Sequence, residues 1–184
     1  LSKPKIFFGG LEPNKPVYVG IDQSYSGFAI TFLDAENKTD YYSIVYKAEG
    51  LGVERLRNIQ AFIMDTLVNY TIVDVAMEGY AFAGNGKVYL LGELGGMVKL
   101  TLLQFGIYPL IVPPTNLKKY VAGKGNGVSK SQLLLYVFRK WGADITDDNA
   151  ADSYALAKLV SGAHVLEYEK DVYDKLQDPK FRER

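Results

Sequence analysis

The sequence predicts an α/β fold: a mixed five-stranded sheet, three antiparallel strands followed by two parallel ones, with helices on both faces. Three observations carry this. Runs of branched and aromatic residues at 17–22, 28–33 and 41–46 are separated by turn-forming residues and read as a meander of strands. From residue 52 the apolar spacing changes to that of a helix and then returns to a strand at 72–78, which is the strand, helix, strand order of a parallel crossover. Beyond it, helices alternate with one more short apolar run, the pattern of a sheet covered on both sides.

In order, residues 1–16 carry Pro4, Pro13, Pro16 and the pair Gly9-Gly10 and are expected to form an irregular tail. Val17 to Asp22 is the first strand, and a turn around Tyr25-Ser26-Gly27 leads into Phe28 to Leu33. Asp34 to Lys38 turns the chain again, into Tyr41 to Tyr46. Gly52 to Tyr70 is a helix with Val53, Leu56, Ile59, Ile63 and Leu67 on one stripe. Strand 72–78 ends in Glu78. The next helix, Lys87 to Phe105, contains Gly92, Gly95 and Gly96. An interior glycine costs a helix roughly 1 kcal/mol, so three of them imply a backbone pressed closely on a neighbour, either the chain's own sheet or a second subunit. Ile107 to Val112 is the fifth strand, stopped by Pro113-Pro114. Thr115 is placed to cap a short helix through Val121, and Ser129 to cap another through Trp141. A last core helix starts near Asp148, and residues 164–184 read as a charged helix or tail that frays in solvent.

With 184 residues, 48% of them apolar, the chain has enough for one core and little for a second. The lack of cysteine excludes disulfides and thiolate metal sites. Leu100 to Val112 is too short and too interrupted to span a bilayer, no secretory signal is legible, and a cytoplasmic location is expected, with no membrane partner. The net charge is zero, but its distribution is uneven. Between Leu94 and Ala143 there is no acid, while Lys99, Lys118, Lys119, Lys124, Lys130, Arg139 and Lys140 all lie there. Such segregation makes a basic face suited to phosphates.

Acids stand at the ends of three elements: Asp22 after the first strand, Glu78 after the crossover, and Asp147-Asp148-Asn149-Ala150-Ala151-Asp152 at the last core helix. Two of the three have plain structural readings: Asp22 as a turn former, and at the helix Asp147 or Asp148 as its cap with Asp152 favouring the positive helix end. Together they are able to converge. Hard divalent cations prefer carboxylate oxygens, and two such ions about 4 Å apart suit phosphodiester hydrolysis. The loop Gly123-Lys124-Gly125-Asn126-Gly127 lacks the spacing of a nucleotide cradle, so no nucleotide cofactor is expected. It is either a mobile connector or a lysine-bearing phosphate contact.

Over residues 17–162 the order of these motifs resembles the RuvC family of Holliday junction resolvases, in the RNase H-like superfamily. The carriers are Gly20-Ile21-Asp22-Gln23-Ser24 with Gly27-Phe28-Ala29, Met77-Glu78 followed by aromatics, Val112-Pro113-Pro114 with Lys118-Lys119 and Gly123-Lys124-Gly125 ahead of Lys130, and Ala150-Ala151-Asp152-Ser153-Tyr154-Ala155-Leu156-Ala157. The compact, divergent sequence looks more like the phage-encoded branch, at home in a bacterial or phage-infected cell. One departure stands out. Where the family carries an acid or histidine three positions before the last aspartate, this chain has Asn149, with Asp148 on the same helical face as Asp152.

The resemblance implies an RNase H-like nuclease domain over 17–163, binding branched DNA and acting as a homodimer. It implies two Mg2+ or Mn2+ ions held by Asp22, Glu78 and Asp152, with Asp148 or Asn149, and products ending in 5′-phosphate and 3′-hydroxyl. Lys130 and Lys124 would neutralise the scissile region, and Lys118 and Lys119 would grip flanking phosphates. Tyr80 or Phe82 would stack on an unpaired base, unless they are core aromatics. The helix with Gly92, Gly95 and Gly96 would be the dimer seam.

Overall fold

The structure, a computed structural model describing residues 3–80 and 88–183, begins with a strand inside the stretch expected to be irregular. β1 (Lys5–Gly9) pairs antiparallel with β4 (Tyr41–Tyr46). Pro4 and Pro13 flank the run Ile6-Phe7-Phe8 without interrupting it, Phe7 packs on the core, and Lys5 pairs with Asp147 at 2.9 Å. Among the described residues the sheet therefore has six strands, not five, in the order β1-β4-β3-β2-β5-β6.

The other strands follow the expected topology. β2 (Pro16–Asp22) and β3 (Phe28–Asp34) are antiparallel, as are β3 and β4. β5 (Thr71–Glu78) joins β2 in parallel, and the short β6 (Leu110–Val112) joins β5 in parallel. Ile21 is opposite Met77, so Asp22 and Glu78 leave adjacent strands at the same end of the sheet.

Alternation along the strands feeds two cores. Val19, Ile21, Ile30 and Phe32 point to the face covered by α1 (Gly52–Leu67) and α2 (Val88–Gln104). Ala29, Leu33, Val45 and Ala76 point to the other face, under α3 (Pro114–Ala122), α4 (Lys130–Trp141), α5 (Asp148–Val160) and α6 (Glu167–Leu176). α5 crosses β2 at Gly20, where a Cβ would overlap the Ser153 carbonyl oxygen and the Ala157 amide. Hydroxyls reinforce the contact: Thr31 Oγ1 lies 2.7 Å from both Ser43 Oγ and Ser153 Oγ in the buried interior. This brings the first turn of α5 beside the ends of β2 and β5.

Two helix ends differ from expectation. α3 starts at Pro114 with Pro113 as its cap, so Thr115 is not the cap; a proline in the first turn gives up no hydrogen bond there. Beyond residue 164, α6 does not fray into solvent: Val172 and Leu176 are buried and Glu169 forms an ion pair with Lys140. The segment after it closes the free edge of β6. Arg182 pairs with Leu110 through the backbone and grips Asp74 with two bonds of 2.6 and 3.0 Å. Among the described residues, no helix is long and apolar enough to cross a membrane.

Candidate active site

Asp22 ends β2 and is only 5% exposed, while Glu78 ends the neighbouring β5 and is half-buried. Asp152 reaches the same place from α5. Asp147 takes the capping role there, its Oδ1 accepting from the amides of Asn149 and Ala150 at 3.1 and 3.4 Å. That leaves Asp148 and Asp152, one helical turn apart, free to face the strand ends.

Two adjoining hollows meet over these acids. One is lined by Asp22, Gln23, Glu78, Lys130, Asn149 and Asp152; the other by Glu78, Lys118, Ser129, Lys130, Asp148 and Asp152. Glu78, Asp152 and Lys130 line both, so the hollows form one groove with the acids at its centre and lysines along one wall. Lys130 opens α4, whose start is fixed by a reciprocal capping box between Ser129 and Gln132, and pairs with Asp148.

The charges are poorly compensated. Burial, then the neighbouring Glu78, Asp152 and Asp148 carboxylates, pushes Asp22 well above the usual aspartate range. Burial and Asp152 raise Glu78 to about 7, and burial with Asp148 raises Asp152 to about 6. Asp148 moves the other way, held below its ordinary value chiefly by the hydrogen bond from Lys130. Like charges crowded in low dielectric repel, and Asp22, Glu78 and Asp152 each take up a proton more readily than they would alone.

The acids share a groove but do not form a closed cage. Among the described residues, no three acid, histidine or cysteine side chains stand together as a ready metal-binding group, so the expected ligand set Asp22, Glu78, Asp148, Asn149 and Asp152 is gathered without being assembled. One of the four carboxylates, Asp148, is engaged by Lys130. The donor chemistry nevertheless fits a hard divalent cation: carboxylate oxygens, largely buried and close enough to raise one another's proton affinity, which a bound cation would relieve in place of a proton. Asn149 lines the groove, although its amide nitrogen lies close against Gly27.

The remaining sequence-derived candidates divide. Lys118 lines the groove; Lys119 and Lys124 are exposed on α3 and the loop after it, outside the lining. Tyr80 also lines the groove, but its ring lies under Lys99 Nζ at 5.5 Å and its hydroxyl is lodged against Gly95. Phe82 lies outside the described residues. Gly95 faces the site, whereas Gly92 and Gly96 are exposed on the outer side of α2.

Sequence reasoning missed two supports. Arg55 of α1 donates to the carbonyls of Ala48 and Tyr25 and stacks over the Tyr25 ring at 4.7 Å, which fixes the turn between Asp22 and β3. Gln23 donates its amide to the Glu78 carbonyl at 2.7 Å. In the sequence it stood only as one member of the Gly20-Ile21-Asp22-Gln23-Ser24 run, directly after a strand-end aspartate.

Comparison with known proteins gives structural likeness alone. No protein-family model and no curated protein matches the sequence. Among solved structures, Thermus thermophilus RuvC superposes with a TM-score of 0.65 at 20% identity, covering 91% of this chain and 98% of that one. T. thermophilus RuvC in complex with Holliday junction substrate gives 0.67 at 18% identity, with the same coverage of each chain. Nearly the whole of that protein therefore has its counterpart here, and the six-stranded mixed sheet with its two helical layers is a RuvC-like fold.

Proposed function

We propose that this chain is a divalent-metal-dependent endonuclease that resolves four-way DNA junctions, a phage-type relative of RuvC acting in recombination and repair in the cytoplasm of a bacterial or phage-infected cell. The observation that carries the reading is the groove. Acids from β2, β5 and α5 gather there beside Lys118 and Lys130, on a fold whose solved likeness binds a Holliday junction.

In this reading Asp22, Glu78, Asp152 and Asp148 hold Mg2+ or Mn2+, two ions per site, and Asn149 adds a neutral oxygen. Bound there, the cations supply Lewis-acid activation of water and stabilisation of the leaving oxygen. The residues do the rest. Buried Asp22 and half-buried Glu78 and Asp152 keep their carboxylates off bulk water, which strengthens their hold on a cation. Lys130 exchanges its partner Asp148 for a phosphate oxygen as the strand enters, and Lys118 neutralises the next phosphate. Lys119 and Lys124 lengthen the basic track outside the groove. In-line attack at phosphorus and departure of the 3′ oxygen leave a 5′-phosphate and a 3′-hydroxyl.

A four-way junction has two-fold symmetry, and paired cuts call for paired sites. The outer face of α2 offers the seam: Tyr89 is 65% exposed, Leu100 58% and Leu103 46%, with Gly92 and Gly96 between them. A single face bearing large apolar residues around two exposed glycines suits close helix packing between copies.

The test is a cleavage panel containing a four-way junction, a fork, a flap and an RNA–DNA hybrid, with Mg2+ and with Asp22→Asn as control. Preferential cutting of the junction, absent in the variant, is expected. Equal rates on every substrate, or cutting that survives Asp22→Asn, would refute it.

A further inference from the structure

Gln23 is only 5% exposed, yet one end of its amide is idle. Its Nε2 donates to the Glu78 carbonyl at 2.7 Å, while its Oε1 is buried without a hydrogen-bond partner. The backbone ladder between β2 and β5 stops at Ile21 and Met77, so the Glu78 carbonyl lies beyond the last strand pair. The Gln23 side chain supplies the donor that another residue of β2 would have given. On the far side, the Gly79 amide donates to the Val112 carbonyl at 2.8 Å. Glu78 is thus fixed between two strands, and the residue fixing it to β2 is the one directly after Asp22.

The idle end faces α2. A Cβ at Gly95 would stand 2.6 Å from Gln23 Oε1 and closer still to the Tyr80 hydroxyl, so the glycine makes a notch that both side-chain ends enter. At Gly92 and Gly96 a Cβ would meet open space. The three glycines therefore serve different purposes, and only two of them belong to the outer face. A buried acceptor without a donor is unfavourable, and the hydroxyl lodged in the same notch is a donor.

We propose that Gln23 is a positioning residue for Glu78: Gln23, Gly95 and Tyr80 form one clasp, with the Tyr80 hydroxyl lodged beside the unpartnered Gln23 Oε1 in the Gly95 notch, that sets the Glu78 carboxylate at its distance from Asp22. The clasp rests on the reading of the groove as a cation-dependent nuclease site. It also gives Tyr80 a different task from base stacking, because a tyrosine held in the notch beneath Lys99 keeps its ring against α2. Side chains that orient metal ligands without touching the metal commonly change its affinity by one to two orders of magnitude.

The experiment compares wild type with Gln23→Met, Gly95→Ala and Tyr80→Phe, and with the double variant of Gln23→Met and Tyr80→Phe. Three readouts are taken: Mn2+ affinity without DNA, from the electron paramagnetic resonance signal of free Mn2+; kcat and KM on a four-way junction; and mass by sedimentation. Gln23→Met is expected to weaken Mn2+ binding by roughly tenfold or more and to lower kcat by about a hundredfold, with KM and mass unchanged. Gly95→Ala displaces two side-chain ends rather than helix backbone, and should do the same at unchanged mass. Tyr80→Phe should show part of the loss and add nothing to Gln23→Met.

Wild-type Mn2+ affinity in both Gln23→Met and Gly95→Ala would overturn the clasp, as would a Gly95→Ala protein that changes mass while keeping its affinity. If wild type binds Mn2+ but cuts no junction, the proposed function fails, and the Mn2+ comparison alone decides the clasp. A wild type that binds no Mn2+ overturns both.

Discussion

Glu78 binds a proton more readily in the folded chain than in the unfolded one, at about 7 against 4.5. Its contribution to stability is therefore complete below pH 4.5 and is lost as the pH rises through 7. Glutamine mimics the protonated acid. In metal-free buffer at pH 8, Glu78→Gln should be more stable than wild type by roughly 3 kcal/mol at most, and at pH 4.5 the advantage should vanish; urea unfolding at the two pH values checks this. Added Mg2+ should narrow or reverse the difference at pH 8, because ligand binding stabilises the protein that binds more tightly. Asp22→Asn should lower nicking by about a thousandfold, while junction affinity in EDTA holds, since asparagine keeps the size of the buried side chain and takes away only a cation ligand. A gel-shift titration beside a cleavage assay separates the two effects. Lys130→Gln should restore Asp148 toward an ordinary carboxyl and weaken both binding and cutting.

Two contacts between elements decide whether the acids meet. At Gly20 the obstructing atoms are backbone, not flexible side-chain ends, so Gly20→Ala must push α5 away from β2. A loss of about 1–3 kcal/mol in thermal or urea melts is expected from such overpacking. Glu169→Ala leaves half-buried Lys140 with only the Tyr120 and Val121 carbonyls and frees the Val165 and Leu166 amides that Glu169 accepts from, and should cost about 3 kcal/mol, well above a surface pair. The central elements were legible because their periods are strong: β2, β3, β4, β5 and α5 fall close to their expected places, and Asp22, Glu78 and Asp152 with them. β1 was hidden because Ile6-Phe7-Phe8 is a short run among prolines and glycines whose partner, β4, lies far along the chain. α6 buries only Val172, Leu176 and an acid, too sparse a stripe for periodicity to register. Gln23 and Gly95 were illegible for a related reason. A side-chain amide that completes another strand's hydrogen bonding, or a glycine that opens a notch rather than a seam, takes its meaning from neighbours that only the fold supplies.

At the scale of the whole molecule, a neutral chain sets Lys118 and Lys130 beside Asp22, Glu78, Asp148 and Asp152 in one groove, and if the proposed function holds, a phosphate backbone drawn to those lysines is delivered to the acids. The opposite edge of the design is α2, with one face turned to the site and the other open. Leu100→Glu, in the exposed stripe beside Gly96, should give monomers by sedimentation and convert paired cuts into single nicks, with Mn2+ affinity unchanged. The most direct test of converging acids and paired sites is a supercoiled plasmid that extrudes a cruciform, incubated with Mg2+ and resolved on a gel. Linear duplex with ligatable ends, lost in Asp22→Asn, is the predicted product. Nicked circles alone, or linear product that persists in the variant, would contradict the account.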